Sequence, residues 1–318
     1  MRIVVLDGYT LNPGDNPWDD VAALGDFAVH DRTPDDLILE RARGAEILLT
    51  NKTPLTADTL DQLPTLRFIS VLATGYNVVD VAAARERGVR VSNVPVYSTD
   101  SVAQHVFALL LERCLHVGLH DRAVHDGEWT QCIDFTFWKT PLVELHGKTM
   151  GIVGFGRIGR RVGELAHAFG MSVLACDVVR KEPPDYEPFA WRPLSDLVAE
   201  SDVVTLHCPQ TADNAGMVNA DLLGRMKPDA FLINAARGGL VIERDLADAL
   251  NRGALAGAAV DVVETEPIPA HSPLLTARNC VITPHIAWAS QAARRRLMQA
   301  TAENVAAFLA GEPIHVVN

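Results

Sequence analysis

The sequence predicts an α/β protein built from two parallel-sheet domains, and three observations carry that expectation. Short apolar runs alternate with helical patterns over the first hundred residues. A second such series opens near Lys148 on a glycine-rich turn. The length of 318 residues suits two domains, and 48% apolar against 21% charged residues suits a well-buried globular chain. Strands that alternate with helices are joined by crossovers, which keep the strands parallel and cover both sheet faces.

Taken in order, residues 3–6, 47–50, 68–73 and 89–92 read as strands, with 34–43 and 79–86 as intervening helices. This first series has no glycine-rich phosphate loop, so it reads as a substrate domain. Ser98-Thr99-Asp100-Ser101 then offers capping side chains ahead of an amphipathic run over 102–117. Val102, Val106, Leu109, Leu110 and Arg113 recur there at helical spacing. The run is too apolar for a monomer's surface; core packing explains part of it and a dimer interface the rest. Residues 126–146 are aromatic and irregular, with Trp129, Phe135, Phe137 and Trp138. They read as an excursion that packs against something, such as a second subunit.

Met150-Gly151-Ile152-Val153 leads into Gly154-Phe155-Gly156-Arg157-Ile158-Gly159, and helical periodicity follows over 160–169. A second strand, Ser172-Val173-Leu174-Ala175-Cys176, ends on Asp177. Strand, glycine turn, helix, strand and terminal acid form the βαβ order that dinucleotide binding requires. Gly154 permits the tight turn, Gly156 lets backbone approach a pyrophosphate, and Gly159 lets the helix close on the sheet. A carboxylate at 177 binds ribose hydroxyls and repels a 2′-phosphate, which favours NAD. Arg180 and Lys181 follow closely and can bind such a phosphate, so NADP stays open. Strands continue at 203–207, 231–234, 257–262 and 281–283, with a proline-rich loop at 181–188. A helix over 291–309 and a tail at 313–317 return to the first domain and make it discontinuous. The expected domains are 1–98 with 288–318, and 99–287.

The net charge of −12 argues against nucleic-acid or anionic-membrane binding, which needs a basic face. No apolar run reaches membrane-spanning length, and residues 1–7 read as a strand, not a signal segment. Five scattered cysteines without a C-x-x-C suit a reduced cytoplasmic compartment.

Three polar residues follow later strands, where open α/β sheets bind ligands. Arg237 follows 231–234, Glu266 follows 257–262, and His285 follows 281–283. Hydride transfer to a 2-oxo acid needs a guanidinium for the carboxylate, a proton donor for the carbonyl oxygen, and a carboxylate to orient that donor. Arg237, His285 and Glu266 match those needs. Taken singly, such an arginine is more often a surface ion pair, such a histidine more often a satisfied core or surface side chain, and Glu264 and Glu266 are each open to being merely solvated.

The chain resembles the D-isomer-specific 2-hydroxyacid dehydrogenases, and within them the glycerate dehydrogenase/hydroxypyruvate reductase group. The resemblance spans nearly the whole chain. It rests on Thr50-Asn51-Lys52-Thr53, Ala73-Thr74-Gly75-Tyr76-Asn77, residues 98–103, the glycine turn, Asn234-Ala235-Ala236-Arg237-Gly238-Gly239, Asp261-Val262-Val263-Glu264-Thr265-Glu266-Pro267 and Thr283-Pro284-His285-Ile286-Ala287-Trp288. It implies a Rossmann NAD-binding domain inserted into a flavodoxin-like substrate domain, and a homodimer. It implies that Arg237 binds substrate, His285 is the acid/base and Glu266 its partner, and that Asp261 contacts the nicotinamide carboxamide. His207-Cys208-Pro209, Ala235, Ala236 and Val102 would line the cofactor. Backbone amides at Ala73, Thr74 and Gly75 would hold the substrate carboxylate, with Lys52 and Trp288 also on the substrate side. Trp138 resembles a tryptophan that hydroxypyruvate reductases present from the partner subunit, with core packing as the competing reading. Gln104 stands where many relatives carry an acid.

The implied reaction is NAD-dependent reduction of a small 2-oxo acid, hydroxypyruvate to D-glycerate first and glyoxylate to glycolate second. One rival is a phosphoglycerate-type dehydrogenase, for which Lys52 leaves a small opening. Another is an NAD-sensing binding protein or corepressor of the same fold. His116, His120 and His125 lack a completing ligand set for a metal. Arg294-Arg295-Arg296 reads as partial salt bridging, because three adjacent arginines cannot share one helix face.

Overall fold

The computed structural model describes residues 1–318. From the N-terminus run β1 (Arg2–Val5), α1 (Asp19–Ala22), β2 (Asp26–Val29), α2 (Ile38–Ala42), β3 (Ile47–Thr50), α3 (Ala57–Asp61), β4 (Phe68–Val71), α4 (Val81–Glu86) and β5 (Arg90–Ser92). Next come α5 (Thr99–Leu115), α6 (Val117–His125), β6 (Thr149–Val153), α7 (Arg157–Ala168), β7 (Ser172–Cys176) and β8 (Phe189–Trp191). The remaining elements are α8 (Leu194–Glu200), β9 (Val203–Leu206), α9 (Ala220–Leu223), β10 (Phe231–Asn234), α10 (Glu243–Asn251), β11 (Gly257–Val260), β12 (Cys280–Ile282) and α11 (Gln291–Leu309). The chain divides into two compact units, Met1–Ser98 with Trp288–Asn318, and Thr99–Ala287.

The first unit holds a five-stranded parallel sheet in the order β2-β1-β3-β4-β5, the flavodoxin-like arrangement. Every residue of β3 and β4 is buried, because helices cover both faces and leave no polar alternation. Helix α11 belongs to this unit. Ser290 caps it by accepting from the Ala293 amide, and Leu297, Met298 and Val305 pack against Ile3, Val5 and Phe68. The Phe308 ring stacks on Phe68 with centroids 4.5 Å apart. The arginine run splits its duties: Arg294 pairs with Asp15, whereas Arg296 donates to the Tyr97 carbonyl. The C-terminal tail lies along β5, where the Val317 amide donates to the Val91 carbonyl at 2.8 Å.

The second unit holds a seven-stranded parallel sheet in the order β12-β11-β10-β9-β6-β7-β8. The order reverses between β6 and β9, which makes the ends of those strands the topological switch point. Helix α5 is longer at its start and shorter at its end than its apolar spacing predicts. It begins at Thr99 and stops at Leu115, where His116 adopts a left-handed φ of 48° before α6. Val102, Val106, Leu109 and Leu110 are all buried against Met150, Ile152, Phe155, Ile233 and Ala259. Core packing therefore accounts for that helix face. The exposed apolar surface lies on residues 126–146 instead, where Ile133, Phe135 and Trp138 face solvent. His120 pins that segment by accepting the Lys139 amide at 3.1 Å. No single helix is long and apolar enough to cross a membrane.

Candidate active site

The turn after β6 is shaped by missing side chains. Gly154 has φ +92°, and a Cβ there would stand 2.5 Å from the Cys208 amide nitrogen. The loops after β6 and β9 thus touch backbone to backbone at the switch point. A Cβ on Gly159 would lie 2.1 Å from the Gly154 carbonyl oxygen, so α7 can approach the turn only as glycine. Gly156 differs: a Cβ there would meet nothing within 4 Å. Its bareness serves no internal contact and leaves the start of α7 open to an anion. Phe155 turns its ring into the core, so only its backbone is available to a ligand, while Arg157 is exposed and Ile158 half-buried. Asp177 ends β7 and accepts the Phe155 amide on Oδ2 at 2.7 Å and the Val179 amide on Oδ1 at 3.2 Å. It braces the glycine turn and keeps further acceptor capacity for ribose hydroxyls.

Beside this turn, Thr205 Oγ1 and His207 Nε2 lie 3.0 Å apart. Burial pushes the His207 ring down to a pKa of about 3, so it is neutral. Burial also raises the Cys208 thiol, which keeps it protonated and unreactive. Asn214 ties the loop by donating to the Pro209 carbonyl at 2.8 Å. A bare helix start, an anchored acid and a neutral lining fit a dinucleotide.

The other end of the site is held by polar groups. The Asn234 side chain accepts the Ala236 amide at 3.0 Å and donates to the Arg237 carbonyl at 2.9 Å, shaping the Ala235-Ala236-Arg237 turn. Gly238 must be glycine, since its Cβ would fall 1.9 Å from the Val263 carbonyl carbon. That contact seats the Arg237 loop against the start of the 263–266 turn. The guanidinium is exposed, bonds only the Ala236 carbonyl, and has no carboxylate partner. It is free to take a carboxylate from solution.

His285 Nδ1 and Glu266 Oε2 are 2.6 Å apart, with both side chains about one-third exposed. The carboxylate accepts the Nδ1 proton, which leaves Nε2 as the working nitrogen. Glu264 is not the partner; its amide donates to Glu243 and its side chain is solvated. His285 has a left-handed φ of 54°, which for a non-glycine residue costs on the order of 1–3 kcal/mol. The His285 amide donates to the Asp261 carbonyl at 2.8 Å. Asp261 Oδ1 accepts the Ile286 amide at 2.9 Å, and Oδ2 accepts the Ala287 amide at 2.8 Å. Burial alone would raise the Asp261 pKa, but hydrogen bonds from His105, Thr283, Ala287 and Ile286 outweigh it and lower it. The acid expected at the nicotinamide is thus first an anchor of the histidine turn.

In the first unit, Thr74 Oγ1 donates to the Val94 carbonyl at 2.8 Å, and Asn93 donates to the Thr74 carbonyl at 2.7 Å. The Thr74 and Gly75 amides donate to no protein acceptor, so they are available to an anion beside Ala73. Asp7 holds the Asn51, Lys52 and Thr53 amides, and the Lys52 side chain lines a hollow with Asp7, Asp31 and Asp35. Arg32 also lines that hollow, so three carboxylates stand against two cations, a poor balance for a phosphate. Trp288 meets the Tyr97 ring edge-on at 6.3 Å. Trp138 is 65% exposed, which rules out core packing within this chain. Sequence reasoning gave Asn234, Gly238 and Thr283 no role, took Ser101 only as a capping side chain and missed His105; only the i,i+4 spacing of Ser101 and His105 could have flagged that pair.

A Rossmann sheet carrying a histidine–glutamate pair and an unpaired arginine defines a nicotinamide-dependent oxidoreductase. The family model "D-isomer specific 2-hydroxyacid dehydrogenase, NAD binding domain" matches residues 107–287, and the chain belongs to that family. It is 49% identical over 321 residues to a hydroxypyruvate reductase of Blautia hydrogenotrophica, covering 100% of both chains. It is 42% identical to a glycerate dehydrogenase of Methylorubrum extorquens, covering 90% of this chain and 89% of the other. Among solved structures, a D-lactate dehydrogenase from Aquifex aeolicus complexed with NAD and lactic acid superposes with a TM-score of 0.83 at 28% identity, covering 98% and 96%.

Proposed function

We propose that this enzyme reduces hydroxypyruvate to D-glycerate with NADH, and glyoxylate to glycolate as a second reaction. The observation that carries the reading is the 2.6 Å bond between His285 Nδ1 and Glu266, which leaves Nε2 as the working nitrogen, in the same unit as an arginine without a carboxylate partner. When bound, NADH supplies the hydride that the substrate's carbonyl carbon receives. Arg237 holds the substrate carboxylate through its planar fork. His285 gives the Nε2 proton to the carbonyl oxygen. Glu266 fixes the ring by holding Nδ1. Asp177 binds the adenosine ribose. The relatives named for hydroxypyruvate and glycerate support that choice of acid.

The enzyme works as a cytoplasmic homodimer in this reading. The apolar side chains of Ile133, Phe135 and Trp138, each more than 60% exposed on one pinned segment, support a subunit contact there. The direct test is a kinetic matrix of NADH and NADPH against hydroxypyruvate, glyoxylate, pyruvate and phosphohydroxypyruvate. The highest kcat/KM is expected for hydroxypyruvate with NADH. NADH binding without turnover on any of the four would refute the enzymatic reading, and a preference for NADPH would overturn the role of Asp177.

A further inference from the structure

We infer that His105 is a positioning residue: through Thr283 and Asp261 it holds the left-handed turn that presents His285. The inference rests on the acid–base role proposed for His285. All four side chains lie in the second unit, so the chain of contacts is internal to it.

The proton inventory assigns the direction of each bond. Thr283 Oγ1 donates to Asp261 Oδ1 at 2.6 Å, and that hydroxyl has one proton. His105 Nε2 lies 3.0 Å from the same Thr283 oxygen, so Nε2 must carry the hydrogen and the threonine must accept it. The same nitrogen stands 3.4 Å from Asp261 Oδ1. His105 is therefore a donor, and its proton reinforces the hydroxyl's donation to the carboxylate. Asp261 is 1% exposed and spends its charge on the Ile286 and Ala287 amides, the two that follow His285. One helical turn before His105, Ser101 Oγ donates to the Ala287 carbonyl at 2.6 Å. Helix α5 thus grips the histidine turn twice, at its carboxylate anchor and at its last carbonyl.

A left-handed φ on a histidine persists only where its surroundings hold it. Deleting the His105 donor leaves Thr283 free to rotate and weakens the hold of Asp261 on the turn. The imidazole then samples orientations in which Nε2 misses the carbonyl oxygen, and turnover falls while NADH binding, seated at the glycine turn, stays.

The experiment compares His105→Leu and Thr283→Val, which delete donors, with His105→Gln and Thr283→Ser, which keep one at similar reach. With hydroxypyruvate and NADH, the first pair should lose about tenfold or more in kcat with KM for substrate and Kd for NADH within about twofold. The second pair should recover to within about threefold of wild type. A merely structural histidine would move melting temperature and NADH affinity together and would not be rescued by glutamine. Wild-type kcat in both His105→Leu and Thr283→Val overturns the inference, as does a glutamine variant as slow as the leucine one. Should His105→Leu fail to fold, Thr283→Val against Thr283→Ser decides alone. Near-native turnover in His285→Asn, with His105 untouched, would instead overturn the acid–base reading.

Discussion

The turn after β6 and the turn after β12 close parallel strands of one sheet by opposite means. At 154–159 the backbone takes its shape because side chains are missing: Gly154 and Gly159 have no room for a Cβ. At 283–287 the backbone is forced: a histidine holds φ 54° because a buried carboxylate captures the next two amides. The first turn makes room for a ligand's charge, and the second supplies a protein side chain to the reaction. Absence is encoded locally, in a run of glycines. Restraint is encoded across 180 residues, in a serine, a histidine, an aspartate and a threonine.

The contrast can be broken most severely at Gly154. Gly154→Ala combines a positive φ with a backbone clash against Cys208, so stability should fall by about 3 kcal/mol in urea unfolding and NADH binding should vanish. Asp261→Ala comes next. It strands two amides, a hydroxyl and an imidazole, and should cost about 2 kcal/mol. Its kcat loss should exceed its loss of NADH affinity; an equal loss of both would place Asp261 chiefly at the cofactor. Gly156→Ala separates ligand approach from internal packing, because its Cβ meets open space. Melting temperature should stay within about 1 °C while Kd for NADH rises about tenfold, as expected where backbone approaches a pyrophosphate. Unchanged NADH affinity would mean the bare helix start is not the anion site.

The effect smallest at neutral pH, and growing only in acid, concerns His207, whose folded pKa of about 3 lies below that of the unfolded chain. The unfolded state therefore takes up the proton first, and stability should fall as pH drops from about 6.5 toward 3, by up to about 1.4 kcal/mol per unit. His207→Gln should flatten the acid limb of a pH–urea stability curve by that much. An identical slope in the variant would show that the ring is already solvated.

The central strands of both sheets were legible because burial on two faces leaves an unbroken apolar run. The edge strands β2 and β8 were not, since Asp26, Phe27, Ala28 and Val29 are only partly covered and β8 follows directly on the stretch read as a proline-rich loop. Arg237, Glu266 and His285 were legible as polar residues just beyond strand ends, but the choice of Glu266 over Glu264 needed the 2.6 Å contact. His105 was hidden inside a helix whose apolar spacing drew attention to its neighbours. The exposed aromatic segment was read correctly as irregular, whereas α6 just before it was not read, because its helical face is mostly polar.

Single-turnover reduction of hydroxypyruvate by NADH-loaded His285→Asn, beside wild type, decides whether His285 is the proton donor. The expected result is a hydride-transfer rate lower by about a thousandfold with NADH affinity unchanged, the scale of a lost general acid. A rate within a few-fold of wild type would contradict it and send the search for the proton donor elsewhere in the site.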